Sequence, residues 1–236
     1  MPRLLYLENS LGSDSRTGVA DRLRAMSVDV TVVRAYADEF PAKLSAYDAV
    51  YLTGSSHGAY DDVPWIKREH QLIREAESLG LPMLGVCFGS QILASALFGR
   101  GEVFRRATCE VGYVALALTA AAAVDPILRG VASPIRMFVW HNDEIRSEHL
   151  GMRILATSGD CPNHVWRYGD GAVWGIQGHP EVTRGVAPAW LEENRTILER
   201  DGADVASLLR DRGADDGVDL ILPNFVAVVS QSIALH

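Results

Sequence analysis

Four short apolar or β-branched runs, Arg3 to Leu7, Val28 to Val33, Ala49 to Leu52 and Pro82 to Val86, recur through the first part of the chain. Hydrophobicity this continuous predicts strands buried on both faces, as in a parallel sheet. Amphipathic stretches lie between them. Arg16 to Met26 is one helix, and Pro64 to Leu79 is a stronger one: Asp61 or Asp62 stands where a cap is needed, Pro64 suits the first turn and Gly80 ends it. The alternation predicts an α/β fold on an open, mostly parallel, doubly wound sheet.

After Gly99 the pattern changes to strands with few helices: Tyr113 to Leu118, Ile135 to Val139, Arg153 to Thr157, Val165 to Tyr168 and Val173 to Gln177, with Gly169-Asp170-Gly171 as a hairpin turn. Ala120 to Ala123 reads as a helix start or a loop. Beyond Pro188 helices return, from Trp190 to about Arg200 and from Ala203 to Arg212, ahead of a Gly213 to Gly217 turn. The tail from Val218 to Leu235 is apolar but interrupted by Pro223, and suits a strand or a closing helix equally. We find no repeat, low-complexity block or linker. The expectation is a single domain over residues 1–236, with a core of about 3–200 and a C-terminal extension of about 201–236.

Composition narrows the function classes. The formal charge of -8, without a Lys/Arg run, disfavours nucleic acid. No secretory leader is legible at the first residues, and no stretch of about 18 apolar residues could span a bilayer. A cytoplasmic chain is therefore expected. Its three cysteines, Cys87, Cys109 and Cys161, form neither CxxC pairs nor zinc-ligand spacings, so a disulfide framework is not expected.

The densest chemistry lies in Gly85-Val86-Cys87-Phe88-Gly89-Ser90-Gln91, where an apolar strand meets a Gly-Xaa-Cys-Xaa-Gly turn and an apolar helix, Ile92 to Leu97. This is the setting of a nucleophile elbow. Glycines at 85 and 89 leave room for strand and helix to pack beside a sharp turn. The helix start favours anions, hence a thiolate and an oxyanion, and the Phe88 N–H is the natural first donor. On this segment alone, a small buried structural cysteine remains an alternative.

Gly178-His179-Pro180-Glu181 supplies what a cysteine nucleophile needs. An imidazole accepts the thiol proton and returns it to a leaving amine. In an extended segment residues i and i+2 share a side, so Glu181 is expected to steer the far nitrogen of His179. A second oxyanion donor is expected from Gly54 or Ser55, in a loop that follows a buried strand. His141 and Asp143 lack a third ligand at suitable spacing, so no metal is expected.

Taken together, Thr53-Gly54-Ser55, Gly-Val-Cys87-Phe-Gly-Ser-Gln91 and Gly-His179-Pro-Glu181 resemble the class I (triad) glutamine amidotransferases, and among them standalone proteins similar to the amidotransferase domain of GMP synthase. The resemblance runs from about Leu4 to Trp190 and implies a flavodoxin-like fold and a γ-glutamyl thioester on Cys87. Ammonia would leave first and water would then release glutamate, with no cofactor. It further implies that Gln91 and the backbone around Asn142 and Asp143 hold the amino-acid end of glutamine.

Two positions depart from the family pattern. Ser55 replaces a common glycine, and Gly178 replaces an aromatic residue, which predicts a roomier pocket. Without a GxxxxGK[ST] phosphate loop, the chain is expected to pass ammonia to a separate acceptor synthase. The alternatives are a γ-glutamyl peptide or conjugate hydrolase with the same triad, and a regulatory subunit without catalysis. An esterase with a cysteine elbow is disfavoured, because its acid normally precedes the histidine on another loop. Oligomeric state is not legible.

Overall fold

The structure, a computed structural model, describes residues 1–12, 17–146, 149–211 and 217–234. Its centre is one open nine-stranded sheet. The strands are β1 (Arg3–Glu8), β2 (Asp29–Arg34), β3 (Ala49–Leu52), β4 (Met83–Val86), β5 (Val103–Leu118), β6 (Ile135–Ile145), β7 (Met152–Thr157), β8 (Val165–Tyr168) and β9 (Val173–Ile176). They are ordered β2-β1-β3-β4-β9-β8-β7-β5-β6. From β2 to β9 every pairing is parallel, and beyond β9 every pairing is antiparallel.

The parallel half is doubly wound because its strands are apolar on both sides. Leu4, Tyr6 and Tyr51 face one core with Val19, Ala20 and Leu23 of helix α1 (Val19–Ala25). Leu5, Leu7 and Leu52 face the other, with Trp65, Ile66, Leu72 and Ile73 of α2 (Pro64–Ser78) and Ile92 and Leu93 of α3 (Phe88–Leu97). Alternate residues of a strand thus feed opposite layers. The buried stripe of α2 recurs at helical spacing, and Glu69 and His70 occupy core positions within it.

Several boundaries differ from expectation. Neither Asp61 nor Asp62 caps α2: its N-cap is Val63, with no side-chain cap. Asp61 instead accepts from the Gly58 N–H at 3.1 Å, and Asp62 pairs with Lys67 at 2.6 Å. β5 starts at Val103, ten residues before the apolar run, since Arg105 and Glu110 pair across to β6 on either side of a register shift. The segment expected as one helix from Trp190 is two, α4 (Ala187–Glu193) and α5 (Arg195–Arg200). At the break the Asn194 side-chain amide donates to the Trp190 carbonyl at 2.8 Å, competing with the helix ladder.

Helix α6 (Val205–Asp211) follows, and the tail closes as α7 (Ile221–Ala234). Pro223 falls in its first turn, where the missing N–H costs nothing. Phe225 and Val229 of α7 pack on the α1 side of the sheet, Phe225 edge-on to Trp174. Ala120–Val124 is a 3-10 turn. Arg16, Arg212 at the end of the expected helix, the Gly213–Asp216 part of the predicted turn and Leu235 lie outside the described residues.

Candidate active site

β4 delivers Cys87 to the carboxyl edge of the parallel strands. The residue sits at φ 54° and ψ -111°, a conformation that L side chains rarely adopt, and α3 starts immediately after it. Two backbone bonds fix the elbow: the Cys87 N–H donates to the Ile176 carbonyl at 2.7 Å, and the Gln91 N–H donates to the Cys87 carbonyl at 3.1 Å. The flanking glycines are sterically required. A Cβ on Gly85 would lie 2.3 Å from the Gly89 carbonyl oxygen, and one on Gly89 would lie 2.2 Å from that of Leu52. At the start of α3 the Phe88 N–H belongs to the first turn, whose donors lack intrahelical partners.

His179 follows β9 and is anchored by its N–H to the Phe138 carbonyl at 2.7 Å. The segment from His179 to Val182 is a turn closed by the Val182 N–H on the His179 carbonyl at 3.1 Å, not the extended stretch expected. That turn still brings Glu181 Oε1 to 2.7 Å from His179 Nδ1. With Nδ1 held by the carboxylate, the other nitrogen, Nε2, is left for the Cys87 sulfur. Burial opposes charge on the imidazole, but Glu181 and the Cys87 sulfur outweigh it and hold the His179 pKa well above the usual value.

Gly54 wedges between the Cys87 and His179 side chains. A Cβ there would stand 3.6 Å from the Cys87 Cβ and 3.7 Å from His179 Cε1. Sulfur, imidazole and the Gly54 loop therefore meet at one point, on the wall of a cavity of about 470 Å³ that Ser55, Gln91, Asn142 and Asp143 also line. The Cys87 thiol lies 3.6 Å from the Trp140 carbonyl, to which it donates.

Gln91 is buried, and its amide donates to the Asp143 carbonyl at 3.0 Å and to Gln177 Oε1 at 3.2 Å. Asp143 accepts from the Tyr60 hydroxyl at 3.0 Å, with the Arg105 guanidinium at 3.5 Å. Burial pushes its carboxyl up, against both of those contacts. His141 is committed elsewhere, to Glu110 at 2.7 Å and to the Asp143 carbonyl at 2.9 Å. The other thiols are poor nucleophiles: burial pushes Cys109 up to about 11 and Cys161 up to about 12.

The space opened by Gly178 does not enlarge the cavity. A Cβ there would meet Met137 Sδ at 2.5 Å and the Phe138 carbonyl at 3.1 Å, so the expected roominess is taken up by Met137. Sequence reasoning missed an aromatic and charged part of the wall, Tyr6, Tyr51, Trp190 and Arg105, beside Trp140 of the segment that carries Asn142 and Asp143. Arg105 comes to Asp143 as its cross-strand partner between β5 and β6, a pairing visible only once the register is known.

The fold and site define a doubly wound α/β protein with a cysteine elbow facing an acid-supported histidine at the carboxyl edge of its strands. The model of the glutamine amidotransferase class-I family matches residues 12–197, and the chain belongs to that family. It is similar to a γ-glutamyl-L-1-hydroxyisopropylamide hydrolase from a Pseudomonas species, 29% identical over 68% of this chain and 56% of that enzyme, and so spans little more than half its length. It is also similar to one subunit of the glutamine-hydrolyzing GMP synthase of Sulfolobus acidocaldarius, 30% identical over 61% of this chain and 73% of that one. The crystal structure of a glutamine amidotransferase from Thermotoga maritima superimposes with a TM-score of 0.83 at 26% identity, covering 97% of both chains.

Proposed function

We propose that this chain, acting as one amidotransferase unit over its whole length, hydrolyses the γ-amide of glutamine through a thioester on Cys87. One observation carries the reading. The cysteine of the elbow and an imidazole with a carboxylate on Nδ1 flank the same glycine on the wall of an open cavity.

His179 Nε2 takes the thiol proton, and the sulfur lone pair attacks the γ-carbonyl carbon. The carbonyl π electrons move to oxygen, where the backbone N–H groups of Phe88 and of Gly54 or Ser55 receive the oxyanion. Collapse breaks the C–N bond as His179 returns its proton to the nitrogen, and ammonia leaves. Water then attacks the thioester with His179 as base, releasing glutamate and the thiol. Glu181 stabilises the imidazolium throughout. Asn142 and Asp143 offer polar contacts for the amino-acid end, Gln91 supports them by holding the Asp143 carbonyl, and Arg105 offers a cation to the α-carboxylate. The chemistry requires no cofactor and a reduced thiol, consistent with three free cysteines and a cytoplasmic setting.

The purified chain is expected to release glutamate and ammonia from glutamine, and Cys87→Ala to lose that activity at least about 10³-fold, as when a nucleophile is removed. Equal activity in the variant would overturn the assignment. If Cys87 also failed to react with a γ-glutamyl-directed alkylating analogue, the regulatory alternative would replace it. The relationship to part of a synthase supports transfer of the ammonia to a separate acceptor protein.

A second reading, hydrolysis of larger γ-glutamyl amides, is favoured by the size of the cavity and its aromatic wall of Tyr6, Tyr51, Trp140 and Trp190. The similarity to a γ-glutamylamide hydrolase supports the same direction. Comparing kcat/KM for glutamine with that for γ-glutamyl alkylamides and dipeptides separates the two.

A further inference from the structure

A polar cluster is buried directly behind the loop that carries Gly54. β1 and β3 are parallel neighbours, and just past their ends Asn9 and Thr53 are hydrogen-bonded to each other. The Asn9 N–H donates to Thr53 Oγ1 at 2.9 Å, and that hydroxyl donates to the Gly54 carbonyl at 3.2 Å. The Asn9 amide nitrogen donates both of its protons, to the Thr53 carbonyl at 3.2 Å and to Glu69 Oε1 at 2.9 Å. Facing two acceptors, the amide has its orientation settled, with Oδ1 turned away from the Thr53 carbonyl.

Two oxygens of the cluster go unpaired. Glu69 is 0% exposed and Asn9 1%, yet Glu69 Oε2 and Asn9 Oδ1 have no hydrogen-bond partner among the described residues. Both atoms are acceptors if Glu69 is ionised, and burying two acceptors without a protein donor is expensive. A single proton on Oε2 turns that atom from acceptor to donor, so that the acid and the amide, already joined by the Nδ2–H to Oε1 bond, can pair through their second oxygens as well. Among the described residues no cation offsets a negative charge there. Burial, opposed only by the Asn9 hydrogen bond, pushes Glu69 up to about 8. Glu8 at the end of β1 and His70 on α2 are its titratable neighbours along these elements; neither contributes, and His70 is turned to Ser95 of α3 at 2.9 Å.

The consequence reaches the reaction centre through peptide geometry. The Thr53–Gly54 bond is trans, so its N–H points opposite to its C=O. With the Thr53 carbonyl held on Asn9, which does not line the cavity, the Gly54 N–H is aimed away from Asn9, in a loop that lines the cavity with Cys87 and His179. We propose that Glu69 is a positioning residue held as the neutral acid, whose pairing with Asn9 orients the Gly54 N–H as the second oxyanion donor. The catalytic part of this rests on the thioester reading above; the acid–amide pair itself does not.

The test compares wild type with Glu69→Gln, which reproduces the neutral acid with an amide, and with Glu69→Ala. Infrared spectra at neutral pH are expected to contain a protonated-carboxyl stretch that Glu69→Gln removes, and the Gly54 amide resonance of 15N-glycine-labelled protein to titrate with the same midpoint in wild type only. Glutaminase kcat is expected to hold within about threefold in Glu69→Gln and to fall about 10²-fold in Glu69→Ala with KM little changed, as for a misplaced donor. Absence of the stretch, a Gly54 resonance that ignores pH, or equal damage from Gln and Ala would overturn the proposal. The two spectroscopic signals in a chain without glutaminase activity would instead uphold the pair and remove the reading of the reaction.

Discussion

At the scale of single residues, the site concentrates its cost in Cys87. Its backbone conformation is one that glycine tolerates and a Cβ does not, worth roughly 1–3 kcal/mol of strain. Replacing it by alanine keeps the strain; replacing it by glycine removes it. Glycine also loses up to about 1 kcal/mol through its freer unfolded chain, so the two terms leave Cys87→Gly about 1 kcal/mol more stable than Cys87→Ala. Urea unfolding of the two variants checks this, and a less stable glycine variant would mean that the elbow is unstrained. These residues were also the most legible in the sequence, because a cysteine between two close-packing glycines and an acid two places after a histidine are local signals. The turn at His179, the filling of the Gly178 space by Met137 and the meeting of Arg105 with Asp143 depend on contacts between distant segments, and nothing local announced them.

At the scale of elements, legibility follows burial. β3 is apolar along its whole length and lies where expected, whereas the polar first half of β5 was invisible because its order comes from pairing with β6. The tail was ambiguous for a related reason: an apolar stretch with one proline fits a strand or a helix until its packing partner is known. The partner is the α1 side of the sheet, where Phe225 is fully buried against Trp174. Phe225→Ala should therefore cost about 3–5 kcal/mol, the range for emptying a buried aromatic site. The loss is read as a lower urea midpoint with an unchanged KM for glutamine, since α7 does not line the cavity. A cost under about 1 kcal/mol would mean that the helix is only loosely docked.

At the scale of the whole molecule, adjacent core positions of α2 carry opposite pH signatures. Glu69 is held neutral up to about 8, whereas the unfolded chain releases that proton near the ordinary carboxyl value of 4.5. Its contribution is complete below about 4.5 and is lost as pH rises through about 8. His70 is pushed down to about 4 by burial, from an ordinary 6.5. Its contribution is present above about 6.5 and is lost as pH falls through about 4. Between those ordinary values the two slopes oppose each other, so their joint effect is nearly flat. Above about 6.5 the Glu69 slope is no longer offset, and the raised pKa of His179 adds a fall of the same sign. Unfolding free energy should thus decline from about pH 6.5 to 8, at up to about 1.4 kcal/mol per pH unit for each proton involved. Glu69→Gln has no proton to lose, so its stability minus that of wild type should climb with pH across the range from about 4.5 to 8, with His70 and His179 cancelling in the subtraction. Urea titrations of both proteins at closely spaced pH values measure that difference directly. A flat difference would mean that Glu69 is ionised in the folded protein, leaving Asn9 Oδ1 and Glu69 Oε2 as two uncompensated acceptors in the core.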